Sequence, residues 1–132
     1  MALMAITTDV VVCGEQQPES DHFIQEESSS TGGENNRHWR EARGGFSYQL
    51  STGDSRARTL RVVYHAARNR EAIVTIDGVE VGRLAAADGN AEVVAELPLP
   101  DGLQHKALVR VKIGSANGGI TPRVYEVRLV AE

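Results

Sequence analysis

Cysteines, aromatics and long apolar runs are all scarce in this chain, and each scarcity excludes something. Cys13 is alone, so no intrachain disulfide can form and cysteine usage does not reveal the redox compartment. Nothing beside it in sequence would lower its pKa, so it reads as a small buried hydrophobe rather than a nucleophile. No apolar run approaches the roughly 20 residues of a membrane-spanning helix, so no membrane partner is expected. The net charge is −4 with the signs interspersed, which does not supply the concentrated basic surface that nucleic acid requires. What remains is 132 residues, 41% hydrophobic and 24% charged, enough for one globular domain with its own core. Met1-Ala2-Leu3-Met4-Ala5-Ile6 lacks both the basic start and the long apolar stretch of a secretory signal. Residues 1–8 are expected to be a flexible lead-in, and residues 9–132 a single domain.

Amphipathic helical stretches are missing too, which argues against parallel strands joined by crossover helices. Period-2 alternation is what the chain offers instead. Phe46, Tyr48 and Leu50 alternate with Ser47 and Gln49, and Leu60, Val62 and Tyr64 with Arg61, Val63 and His65. Val109, Val111 and Ile113 alternate with Arg110 and Lys112. In the last strand, expected over about 123–130, Tyr125, Val127 and Leu129 alternate with Glu126 and Arg128. Ala72–Ile76 and Val79–Leu84 flank Asp77-Gly78, the signature of a two-residue hairpin with positive φ. Ala91–Leu97 runs up to Pro98 and Pro100, and Val10–Val12 would open the series. Seven or eight such strands predict an all-β domain. Its expected form is an antiparallel two-sheet β-sandwich of jelly-roll, galactose-binding-domain-like architecture, with a single barrel as the alternative. Residues 20–27 could make one helical turn capped by Ser20, and 28–36 read as a loop by composition.

Chemistry-bearing residues concentrate between Glu15 and Leu50, where the only tryptophan lies. Glu19, His22, Trp39 and Arg40 are expected to form one polar cluster. A carboxylate–histidine pair there could serve acid–base chemistry, or Arg40 could bond Glu19 simply to tie the segment to the scaffold. No nucleophile motif, phosphate loop or zinc spacing is present. Calcium is the one metal worth weighing: Asp9, Glu15, Glu19, Asp21 and Glu126 could converge with backbone carbonyls, although no fixed-interval loop motif joins them.

The order Glu15-x-x-Pro18-Glu19-Ser20-Asp21-His22, Thr31-Gly32, His38-Trp39-Arg40-Glu41-Ala42, Phe46-Ser47-Tyr48-x-Leu50, Leu60-Arg61-Val62-Val63-Tyr64 and Asp77-Gly78 resembles one known pattern. It is similar to the C-terminal β-sandwich domain appended to β-L-arabinofuranosidase-type glycoside hydrolases, over roughly Asp9 to Leu129. The resemblance implies an accessory module without catalytic residues of its own and without a cofactor, whose partners are a catalytic domain and carbohydrate. It also implies a secreted or periplasmic parent. Aromatics make up 5% of the chain, and Trp39, Tyr48, Tyr64, Tyr125, Phe23 and Phe46 are the only large ones, so a small loop site suits them better than a flat platform. The expected ligand surface is Asn35, Asn36, Arg37, His38 and Trp39, with Arg40 and Tyr48 beside it. The competing expectation is a structural domain that packs on the catalytic unit without binding sugar.

Overall fold

The computed structural model describes residues 2–132. Nine strands appear among them: β1 (Thr7–Val12), β2 (Gln25–Glu34), β3 (Arg37–Ser51), β4 (Thr59–Ala66), β5 (Ala72–Ile76), β6 (Val79–Leu84), β7 (Ala91–Pro98), β8 (Leu108–Ser115) and β9 (Arg123–Val130). All pair antiparallel. One layer runs β6-β5-β8-β3 with β2 beside β3, and the other runs β1-β9-β4-β7. They join at a single pair, Arg40 with Val124, where β3 passes from one layer to the other. A strand that changes layers in this way makes a corner of the sandwich. The alternating residues meet between the layers as expected: Phe46, Tyr48, Leu50, Leu60, Val62, Val111, Ile113, Val127 and Leu129 are all buried there. Cys13 joins them, and burial pushes its thiol pKa up to about 12, which removes it as a nucleophile.

Asp77 and Gly78 both take positive φ (49° and 84°), the geometry of the predicted two-residue hairpin. The ninth strand is the one that composition hides. Residues 28–36 are not a loop: Gln25–Glu34 form β2, and Asn35-Asn36, with φ of 54° and 63°, turn it directly into β3. Beta2 is Ser- and Gly-rich and largely exposed, so its register comes from pairing with β3 and not from an apolar face of its own. The helical turn is likewise displaced. Helix α1 (Leu3–Ile6) precedes β1, and α2 spans Gln16–Asp21 rather than 20–27; Ser20 lies inside α2 and caps nothing. Pro18 fits because it sits in the first turn, where N–H groups have no intrahelical partner. Thr7 and Thr8 already belong to β1, and Thr8 Oγ1 donates to the Ser51 carbonyl at 2.9 Å, so the ordered domain begins before Asp9.

A six-residue helix is far too short to persist alone, and α2 is held by its Glu19 side chain. The Glu19 carboxylate accepts from Arg40 Nε (2.7 Å), Arg40 Nη2 (2.9 Å), Tyr48 Oη (2.6 Å) and the Gly14 amide (3.0 Å). Glu19, Arg40 and Tyr48 are all buried. Arg40 Nη1 reaches outward to Glu26 Oε1 at 3.1 Å and to Ser29 Oγ. A forked arginine on a carboxylate is the arrangement that makes a buried ion pair tolerable. Burial alone would raise the Glu19 pKa, but the hydrogen bonds from Arg40, Tyr48 and Gly14 outweigh it and hold the carboxyl below its usual 4.5. His22, at the end of α2, is fastened separately. It donates from Nδ1 to the Pro18 carbonyl and from Nε2 to Asp9 Oδ1, both at 2.7 Å. Burial opposes its charge, yet the Asp9 and Pro18 acceptors prevail and raise its pKa above 6.5.

Arg40→Ala leaves a buried carboxylate without its cation and should cost about 3–5 kcal/mol in chemical denaturation. Arg40→Lys should recover only part of this, because an ammonium cannot fork. A loss for Arg40→Ala inside the range of ordinary surface substitutions would contradict the role given to this pair.

The two titrating anchors also set a pH window. The Glu19 contribution is complete above its unfolded pKa of 4.5 and is lost as pH falls through the depressed folded value. The His22 contribution is complete below its unfolded pKa of 6.5 and is lost as pH rises through the elevated folded value. The melting temperature should therefore decline above about pH 6.5 in the wild-type protein and decline less steeply in His22→Gln. Identical alkaline limbs in the two proteins would remove His22 from the account.

Candidate functional site

Adjacent residues in a strand point to opposite faces, so turning Arg40 inward to Glu19 turns Trp39 outward. Trp39 lies opposite Gly32 of β2, and its indole rests across that glycine; a Cβ there would come within 2.6 Å of the ring. Side-chain absence at Gly32 is therefore what lets the indole lie flat on the strand. On the neighbouring strand a β-bulge does the rest. Tyr64 pairs with Val124 and Val63 with Glu126, which leaves Tyr125 as the extra residue of β9. Val124 and Val127 stay in the core, so Tyr125 and Glu126 both come to the surface.

The result is a four-membered ladder. Tyr125 meets Trp39 edge to face, with centroids 6.5 Å apart at 85°. The Arg37 guanidinium lies 3.8 Å from the Tyr125 centroid, and that of Arg123 lies 4.4 Å from the indole. Each cation is also tethered by a carboxylate: Arg37 by Glu92 of β7, and Arg123 by Glu41 at 3.4 Å. Arg70 shares Glu41 at 2.9 Å. The bond from Arg37 holds the Glu92 carboxyl below its ordinary range. Beside the ladder is an open cleft of about 280 Å³, lined also by Glu34, Asn35 and His65.

Several residues expected at the site lie elsewhere. Of the anticipated ligand surface, Asn35, Arg37 and Trp39 line the cleft, while Asn36 sits next to it in the turn. His38 alternates to the other face and contacts Glu15 at 3.3 Å. Arg40 and Tyr48 are corrected from ligand candidates to interior groups, because both are committed to Glu19. The expected polar cluster also divides. Glu19 and Arg40 meet, but Trp39 faces away by strand alternation, and His22 bonds Asp9 and Pro18 instead. The carboxylates weighed for calcium do not converge: Asp9 serves His22 and the Ser51 amide, Glu15 faces His38, Asp21 accepts from Gln17, and Glu126 pairs with Arg128. Among the described residues, no group of three or more His, Cys, Asp or Glu side chains is placed to hold a metal.

Arg123 and His65 are outside the expected site, and Tyr125, counted among the aromatics able to stack on a sugar, is outside the expected loop surface. Alternation assigns Tyr125 to the core with Val127 and Leu129, and only the bulge, which shifts the phase by one residue, reverses that assignment.

Comparison with solved structures places the fold among known sandwiches. A family 35 carbohydrate-binding module from Clostridium thermocellum superposes with a TM-score of 0.62 at 12% identity, covering 95% of this chain and all (100%) of that one. The ectodomain of ANX1 from Arabidopsis thaliana gives 0.65 at 11% identity, over 92% of this chain and 40% of that one. An exo-β-1,3-galactanase from Phanerochaete chrysosporium, solved with β-1,3-galactotriose, gives 0.59 at 9% identity over 93% of this chain. The chain spans only 29% of that galactanase. At such identities the likeness establishes a shared β-sandwich fold. No curated protein matches the sequence significantly. A family profile does match, over residues 2–130, and the chain accordingly belongs to the family of unknown function DUF6805.

Proposed function

We propose that this domain is a non-catalytic accessory module that holds carbohydrate at the Trp39–Tyr125 face, beside the catalytic domain of a glycoside hydrolase. The observation that carries the proposal is the ladder of Arg37, Tyr125, Trp39 and Arg123 around an open cleft. Guanidinium groups stacked on rings direct their N–H edges sideways, where sugar hydroxyls or a carboxylate can accept from them. The indole and phenol edges supply apolar surface for the C–H face of a sugar ring. Likeness in fold to carbohydrate-binding modules supports the reading. Catalysis has no comparable support. Glycoside hydrolysis needs two carboxyl groups flanking the scissile bond, and Glu19, the buried carboxylate, is saturated by its donors. Attribution to a β-L-arabinofuranosidase-type parent working outside the cytoplasm rests on the residue pattern between Glu15 and Gly78.

One observation favours a purely structural role, in which the domain packs on its catalytic partner without binding sugar. Arg123 already covers the indole and Arg37 already covers the phenol ring, so the aromatic pair is partly closed by its own cations.

Trp39 is the only tryptophan, so its fluorescence reports on this face alone. A few hydrogen bonds exchanged against water, each net about 0.5–1.5 kcal/mol, give dissociation constants on the order of 0.1–1 mM. Titration with arabino-, galacto- and xylo-oligosaccharides should perturb the emission at these concentrations, and Tyr125→Ala should weaken binding about tenfold. An unchanged emission across the panel, with a lowered melting temperature for Arg123→Ala, would leave the structural role in its place.

A further inference from the structure

The outer face of the other layer carries a hollow of about 520 Å³, larger than the cleft beside Trp39 and within the range of about 300–1,000 Å³ usual for ligand clefts. It crosses β2, β3, β8 and β5, and its lining mixes apolar surface with polar side chains: Gln25, Ser47, Thr75, Arg110 and Lys112, with Asp77 at the hairpin turn. Two cations, Arg110 and Lys112, line it with three carboxylates, Glu26, Glu27 and Asp77; Glu26 is paired with Arg40 and Asp77 with Lys106, so little net charge is left facing the hollow. Such a lining suits a neutral ligand rich in hydroxyl groups better than an ion.

A second observation comes from the end of α2. The Ile24 amide donates to the Glu19 carbonyl and the Phe23 amide to the Ser20 carbonyl, both at 3.1 Å. This pair of bonds closes a helix with one residue in the left-handed region, a position that glycine fills without strain. Phe23 occupies it, with φ of 53°. The residue is 64% exposed, so burial gives little return for the strained backbone. The hollow's own arginine holds this turn in place: Arg110 donates from Nη2 to the Phe23 carbonyl and from Nη1 to Ser47 Oγ, each at 3.0 Å. Folding alone would favour glycine here. An exposed aromatic ring, presented by a strained turn and fixed by a groove residue, is what a ligand-facing platform requires.

We infer that this groove, with Phe23 beside it, is a second carbohydrate site that takes a neutral oligosaccharide, the ring stacking on a sugar and Gln25 and Arg110 bonding its hydroxyls. The ligand class rests on the glycan-binding reading above, but the location does not. The test uses the whole domain, isotope-labelled and titrated with neutral arabino-, galacto-, xylo- and gluco-oligosaccharides, as wild type, Trp39→Ala, Phe23→Gly and Phe23→Asn. Amide shifts at Gln25, Ser47 and Arg110 should persist in Trp39→Ala. In both Phe23 variants they should weaken about tenfold, with Phe23→Gly melting no lower than wild type. Groove shifts that survive in Phe23→Gly and Phe23→Asn would overturn the second site. Shifts confined to the Trp39–Tyr125 face would overturn it while leaving the first site standing, and an absence of shifts at both faces would overturn both.

Discussion

The Glu19 carboxylate is the point on which the rest of this domain turns. One side chain from a six-residue helix receives a forked arginine, a tyrosine hydroxyl and a backbone amide in the interior. Each donor belongs to a different part of the chain: the β1–α2 junction, the first half of β3 and its second half. An unpaired charge at this depth would be far too costly, so the donors are held in place by the same requirement that holds the acid. The phase of β3 follows. With Arg40 committed inward, its neighbours Trp39 and Glu41 must face outward, and the surface ladder is the consequence of an interior ion pair.

The ladder itself needs two exceptions to regular β-structure. Gly32 removes a side chain so that an indole can lie across the strand, and the bulge at Tyr125 brings a residue that alternation would bury out beside it. Glu41 and Glu92 then steady the two guanidinium groups over the rings. Neither feature improves the core, and at Tyr125 a plain strand would pair more regularly. Irregularities of this kind, stacked at one spot on one face, are where sandwiches re-aim side chains for recognition.

Much of the scaffold is legible in the sequence because apolar alternation and turn chemistry are local signals. Asp77-Gly78 announces its hairpin, and the strand over 123–130 appears with the bounds its pattern suggests. The polar hairpin is not legible in the same way. Beta2 has no apolar period to display, and its Ser and Gly residues look like a loop until β3 supplies the partner. Asn35-Asn36 is nonetheless a two-residue turn pair of the kind that tolerates positive φ. Tyr125 is hidden for a different cause. A bulge shifts the phase within a single strand, and nothing in residues 123–130 marks where it falls. The Glu19–Arg40 pair can be anticipated from composition, yet strand phase alone decides that Trp39 does not join it.

Two aromatics on this surface show opposite solutions to exposure. Trp39 is stabilised where it stands: a glycine beneath, a tyrosine at its edge and an arginine above all contribute to the folded state. Phe23 has no such cover, and its backbone conformation works against the fold. A ligand at the proposed Trp39 site would compete with Arg123 for the ring or bond to the edges of that guanidinium, so part of its interaction energy would go to replacing contacts already made. A ligand at the proposed Phe23 site would displace only water. On the proposed reading, recognition at Trp39 would be set against contacts that stabilise the fold, while at Phe23 the cost falls on the folded backbone alone, and the affinity available at each follows from that difference and not from the area of the groove.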